Sequence, residues 1–297
     1  MSTIADSLMM MSALPGVAEA TEAARQACTK LRWHQGLRRR IPAAAAESRV
    51  RGARESAALD GAEMDLAVVR DLIRGATSWP LSPDPIEATV QGAVQATAET
   101  EHIIALVVTS PAQALARVHA AAAGHLLPES QVGRPRQGGE VSREFSELGP
   151  SPAGAVVSQR LSGIVELLLC ARNAPAVVVA ALVHAEIATV RPFVRGNGLV
   201  ARAMERAVIQ ASGLDPTGVS VVELGHGARG AGDSAGGLAY LGALAAYGSG
   251  SPQGVALWIA HCAQAIVDGA DEGCRIADAV LVGRLNGDAG HQDNRRI

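Results

Sequence analysis

HAEIATVRPFVRGNGLVARAMER, His184 to Arg206, starts as an apolar helix, breaks at Arg191-Pro192, passes through Gly196-Asn197-Gly198 and resumes a helical pattern at Leu199. A proline followed by two close glycines cannot continue a helix. A Gly-Asn-Gly turn feeding a new helix aims free backbone N–H groups at one point, which makes an anion cradle. The helix before the break runs from Ala176 to Val190 after Asn173-Ala174-Pro175, and it is apolar on nearly every face, as in the buried centre of a helical bundle. His184 lies on it seven residues ahead of Arg191, two helical turns away, and reads as a core histidine.

The rest of the composition agrees with a mostly α protein. Of the 297 residues 48% are hydrophobic, much of that alanine, and only 2% are aromatic. Small side chains suit close-packed helices better than sheets, which need bulky β-branched and aromatic residues. The net charge of -3 gives no general attraction to nucleic acid or to an acidic membrane surface. Cys28, Cys170, Cys262 and Cys274 have no metal-binding spacing, and no apolar run approaches a membrane span, so a cytoplasmic location is expected.

The motif resembles the signature of the Fic (Fido) family, whose members mostly transfer AMP from ATP to a protein hydroxyl. The family pattern is His-Pro-Phe, any residue, Asp or Glu, Gly-Asn-Gly-Arg, two residues, Arg. This chain has Arg191, Pro192, Phe193, Val194, Arg195, Gly196, Asn197, Gly198, Leu199, Val200, Ala201 and Arg202. Pro192, Phe193, the Gly196-Asn197-Gly198 turn and Arg202 match. Arg191, Arg195 and Leu199 replace the general base, the metal carboxylate and the first arginine.

The resemblance implies a Fic-like helical core over residues 86–285, an N-terminal helical region over 1–85 and a polar tail over 286–297. Ser56, Asp60 and Gly61 are similar to the family's inhibitory helix, Ser or Thr, three residues, Glu, then Gly or Asn, with Asp60 in place of glutamate near 50–65. That pattern implies a pairing of Asp60 with Arg202. Residues 128–154 form a Pro/Gly-rich interval in which Gly133, Arg134 and Arg136 stand where the family has a β-hairpin flap that holds a protein target; a short hairpin and an irregular loop are both open, and Pro135 removes a ladder donor. Tyr240, Tyr247 and Trp258 stand where the family has aromatic residues beside adenosine, and equally suit the core. His226, in a glycine-rich interval, reads as a loop residue.

Arg191 cannot withdraw a proton, because a guanidinium has no free lone pair. Arg195 repels Mg²⁺, which needs oxygen ligands, so bound magnesium is not expected and no metal site is assigned. The expected function is therefore a Fic-like protein impaired in AMP transfer that holds ATP, another nucleotide or a phosphate-containing ligand on Gly196, Asn197, Gly198 and Arg202, or acts as a regulatory module. Arg191 and Arg195 either join that anion site or turn to solvent or acidic neighbours. A divergent active transferase and a purely structural interaction protein are the alternatives.

Overall fold

The computed structural model describes residues 4–227 and 233–283, with the side chains of 233–238 left aside. The tail expected at 286–297 lies outside the described residues, which hold helices and no strand. In chain order the helices are α1 (Ile4–Ser12), α2 (Val17–Arg32), α3 (Ile41–Leu59), α4 (Leu66–Arg74), α5 (Pro85–Ile103), α6 (Leu106–Thr109) and α7 (Pro111–Ala123). There follow α8 (Gly154–Leu169), α9 (Ala176–Val190), α10 (Asn197–Ala211), α11 (Val222–Gly227), α12 (Asp233–Gly248) and α13 (Pro252–Leu281).

Helix α9 is the hub. Twelve of its fifteen residues are buried, from Val177 to Ala185 and then Ile187, Ala188 and Val190. It packs between α8, α10 and α13, and the Trp258 indole on α13 donates to the Ala181 carbonyl at 2.7 Å. Helix α10, buried from Asn197 to Ile209, lies against α9 on one side and α3, α5 and α7 on the other. Small residues let these axes approach: a Cβ on Gly92 of α5 would lie 2.2 Å from the Ala122 carbonyl oxygen of α7.

The ends follow local chemistry. Asp84 caps α5 through the N–H groups of Ile86 and Glu87, both at 2.8 Å, and Glu87 returns a bond to the Asp84 N–H at 2.9 Å. Such a capping box is worth about 1 kcal/mol. Pro85 and Pro111 open α5 and α7, where the missing N–H costs nothing.

Two sequence expectations change. The sequence pattern predicts one helix over 252–268, capped by Ser251 with Pro252 at its first position, and another over about 271–285, whereas α13 runs unbroken for 30 residues. Gly269 is there for proximity: its carbonyl accepts from the Val221 N–H at 3.0 Å, and a Cβ would sit 2.7 Å from the Val221 carbonyl. The β-hairpin alternative at Gly133, Arg134 and Arg136 does not form either; the interval is irregular, with single 3-10 turns at Glu129–Gln131 and Ser146–Leu148. Its backbone is pinned to the motif, the Arg136 N–H donating to the Pro192 carbonyl at 2.8 Å. The buried Arg136 guanidinium feeds the carbonyls of Arg191 at 2.7 Å and Pro152 at 2.5 Å, while Arg134 pairs with Glu140 at 2.7 Å.

Candidate anion site

The turn between α9 and α10 is built by conformations few residues adopt. Arg191 ends α9 at φ 50°, ψ 62°, and Gly196 caps α10 at φ 85°. A left-handed glycine costs little, whereas a left-handed arginine is held only by its surroundings. Asn197 clamps the loop: its Oδ1 accepts from the Phe193 N–H and its Nδ2 donates to the Phe193 carbonyl, both at 2.9 Å. Phe193 stacks on His119 of α7, ring centroids 3.9 Å apart.

His119 is a support that no sequence pattern indicates. Its Nδ1 accepts from the Gly133 N–H at 3.0 Å, and its Nε2 lies 3.2 Å from the Arg195 carbonyl, which fixes Nε2 as the protonated nitrogen. Burial pushes its pKa down to about 4, against the opposing pull of that carbonyl, so the ring is neutral near pH 7. With both nitrogens committed and the ring wholly buried, His119 is not a substitute base.

The cradle holds a carboxylate of its own chain. Glu144 accepts from the Gly196 N–H at 2.6 Å, the Asn197 N–H at 2.8 Å and Asn197 Nδ2 at 2.6 Å. Burial and then the negative charge of Asp60 raise its pKa above the usual carboxylate range, opposed by those same donors. Three convergent donors at such distances are the arrangement that would bind a phosphate oxygen.

Beside it, the end of α3 meets α10. Asp60 Oδ1 lies 2.8 Å from Arg202 Nη2, Arg202 Nε donates to Ser56 Oγ at 2.8 Å, and Nη2 also donates to the Ser56 carbonyl at 2.9 Å. Gly61, at φ 80°, turns the chain away immediately afterwards. Gly198 makes room: a Cβ there would sit 2.6 Å from Asp60 Oδ1. Burial opposes the charge on Arg202, but Asp60 and then Tyr240 outweigh it and raise the pKa. The arginine's Nη1 is buried and makes no hydrogen bond of good geometry among the described residues, with Tyr240 the polar neighbour that favours its charge.

Arg191 does not join the cradle. Its Nη1 donates to the carbonyls of Glu144 at 3.2 Å, Phe145 at 3.1 Å and Gly149 at 2.8 Å, and its Nη2 to Pro150 at 2.9 Å. Its Nε reaches the Thr189 carbonyl at 3.4 Å, so the planar guanidinium is turned to the backbone carbonyls of its own helix end and of the 144–150 loop rather than to the nest. Arg195 is exposed at the rim of a cavity of about 430 Å³, into which Asp60, Glu144, Glu147, Gly198 and Leu199 also project. Three carboxylates and one arginine give that cavity a negative balance in this arrangement.

Deeper in the core lies a network outside the motif. His184 Nδ1 and His226 Nε2 approach Glu205 Oε2 at 2.6 and 2.7 Å, His184 Nε2 lies 2.7 Å from the Tyr240 hydroxyl, and His226 Nδ1 lies 3.2 Å from His261 Nε2. His226 is thus not a loop residue: it sits buried on α11, brought to Glu205 by packing that local sequence does not encode. His184, Glu205 and His226 have the donor types of a metal site. Ligands about an ion with bonds of roughly 2.1 Å stand about 3.3 Å apart, however, and these spacings are those of hydrogen bonds. Burial works to raise the pKa of Glu205, but His226 and His184 overcome it and keep the group ionised; burial lowers His184 to about 4.

Tyr240 and Trp258 belong to this core, and Tyr247 donates to Glu186 Oε1 at 2.6 Å. None of the three lines the cavity beside the nest.

No protein-family model and no curated protein matches the chain. Solved structures do. A Fic family protein from Desulfovibrio desulfuricans G20 is 20% identical with a TM-score of 0.66, over 91% of this chain and 76% of that one. Fic-1 (aa134 - 508) from C. elegans is 17% identical with a TM-score of 0.62, over 90% and 73%. A Fic domain containing signaling protein from Bacteroides thetaiotaomicron VPI-5482 is 12% identical with a TM-score of 0.60, over 86% and 98%. The chain has the all-helical Fic fold, with the motif turn at the head of α10. Among the described residues no helix is long and apolar enough to cross a membrane.

Proposed function

We propose that this protein is a Fic-type module that binds a nucleotide or another phosphate-containing anion at the head of α10 and is impaired in transferring AMP. The observation that carries this reading is the Gly196–Asn197 cradle, whose three donors already converge on one carboxylate. A cradle that orders an internal anion has the geometry to order an external one. Gly198 allows close approach, and Arg202 supplies charge once Asp60 moves aside.

The transfer step needs a group that takes the proton from the attacking hydroxyl. General-base help is typically worth about 100- to 10,000-fold in rate. At the family's base position Arg191 has no lone pair to offer, and its guanidinium is spent on the 144–150 loop. His119 is committed on both nitrogens. At the position of the metal carboxylate Arg195 carries a positive charge, so phosphate neutralisation falls to the backbone and to arginine. A regulatory or sequestering role suits such a site, with any protein target engaged near Gly133 and Arg134.

Calorimetry with ATP, with and without Mg²⁺, tests the reading. Saturable binding that is no weaker without the metal is expected. Binding that requires Mg²⁺, or none even after Asp60→Ala and Glu144→Ala together free Arg202 and the cradle, would contradict it.

A further inference from the structure

Glu144 lies outside the motif and outside the inhibitory pattern at Ser56 and Asp60, yet its carboxylate has the best-connected position in the site. It makes three hydrogen bonds of 2.6 to 2.8 Å to Gly196 and Asn197. Ser142 Oγ, two residues earlier, accepts from Asn197 Nδ2 at 3.2 Å, so the loop follows the nest over more than one residue.

The loop is also held from behind. Arg191 donates to the carbonyls of Glu144, Phe145, Gly149 and Pro150. Phe145 itself takes φ 51°, a left-handed conformation that an L-residue adopts only under constraint. The arginine at the family's base position therefore has a task here: it fastens the segment that fills the nest.

We infer that Glu144 is an internal ligand of the anion site and that the 142–150 loop, latched by Arg191, is its gate. This rests on the proposed anion binding at the nest. A phosphate oxygen and the Glu144 carboxylate call on the same two N–H groups and the same Asn197 amide, so the two exclude each other. An incoming anion must displace the loop, and its apparent affinity falls by the fraction of molecules in which the nest is open. Asp60 governs Arg202 and Glu144 governs the nest, which makes two separate locks on one site.

The test uses the full chain, with pyrophosphate and ATP as probes in calorimetry and hydrogen exchange of the Gly196 and Asn197 amides as an independent readout. Glu144→Ala should tighten probe binding about tenfold to a hundredfold and speed exchange of both amides by a similar factor. Glu144→Gln, which keeps the shape and loses the charge, should shift both in the same direction by less and guards against misfolding. Unchanged amide exchange in both variants would overturn the gate. Equal probe affinity in wild type and both variants would overturn the gate while leaving the anion site standing. Faster exchange with no probe bound by any form would remove the anion site, and the gate as a competitor with it.

Discussion

Asp60 Oδ1 stands 2.8 Å from Nη2 of Arg202, and the arginine is fully buried while the aspartate side chain keeps 24% of its surface exposed. The pair is lopsided: removing the aspartate leaves a buried cation with Ser56 and Tyr240 beside it and no carboxylate paired to it. Breaking a fully buried pair costs about 3–5 kcal/mol, and partial exposure of Asp60 with the two Ser56 contacts reduces this to about 2 kcal/mol. Asp60→Ala should lower the urea midpoint accordingly while tightening ATP binding. A variant that loses stability and gains no affinity would show that the contact is architectural only.

How far the sequence reveals this site depends on how local each feature is. The break after Val190, the glycine turn and the start of α10 are encoded within a dozen residues, so they are readable there. Ser56 and Asp60 stand in a recognisable local pattern, whereas their distance from Arg202 is set by the packing of α3. Glu144 and His119 carry no signal at all: a lone glutamate in a Pro/Gly-rich loop and a lone histidine on an alanine-rich helix look like surface and core residues. The directions of Arg191 and Arg195 are not legible in the sequence for the same reason, since a side chain's direction is settled by the loop it meets. His226 reads as a loop residue in the sequence because its partners, Glu205 and His184, are on other helices.

Gly92→Ala should destabilise the fold despite better helix propensity. The new methyl would meet the Ala122 carbonyl at 2.2 Å, and backbone cannot swing aside. Alanine gains about 1 kcal/mol in an ordinary helix, and overpacking costs about 1–3 kcal/mol, more where backbone must move. A net fall in the thermal midpoint is expected; a rise would mean that α5 and α7 slide apart freely.

Stability should fall as pH drops from about 6.5 to 4. His119 and His184 are each held near a pKa of about 4 in the folded protein, below the unfolded value of 6.5. The unfolded chain therefore takes up protons first, and stability that is complete above pH 6.5 is lost on the way to 4. The effect is about 3 kcal/mol at most for each ring. Denaturation curves at pH 7.5 and 5 measure it, and His119→Gln, which cannot titrate, should flatten part of the slope. An unaltered slope in that variant would remove His119 from the account.

Glu205→Leu should be among the most damaging core changes, because His184 and His226 would each face a buried apolar group with an N–H unmet. Each such orphan costs about 1–3 kcal/mol. Loss of cooperative melting is expected, whereas chelators should leave the wild-type melting temperature unchanged. A drop in melting temperature on chelation would show that the histidines hold an ion.

The most direct measurement follows α-labelled ATP in the Asp60→Ala/Glu144→Ala variant, where both locks are removed, beside the same protein carrying Arg191→His, Arg195→Asp and Leu199→Arg. The double variant should bind ATP and leave no labelled AMP on itself or on an added protein pool, while the fuller variant gains transfer. Label transfer by the double variant at the rate of the fuller one would show that this chain supplies its own base and is a working transferase.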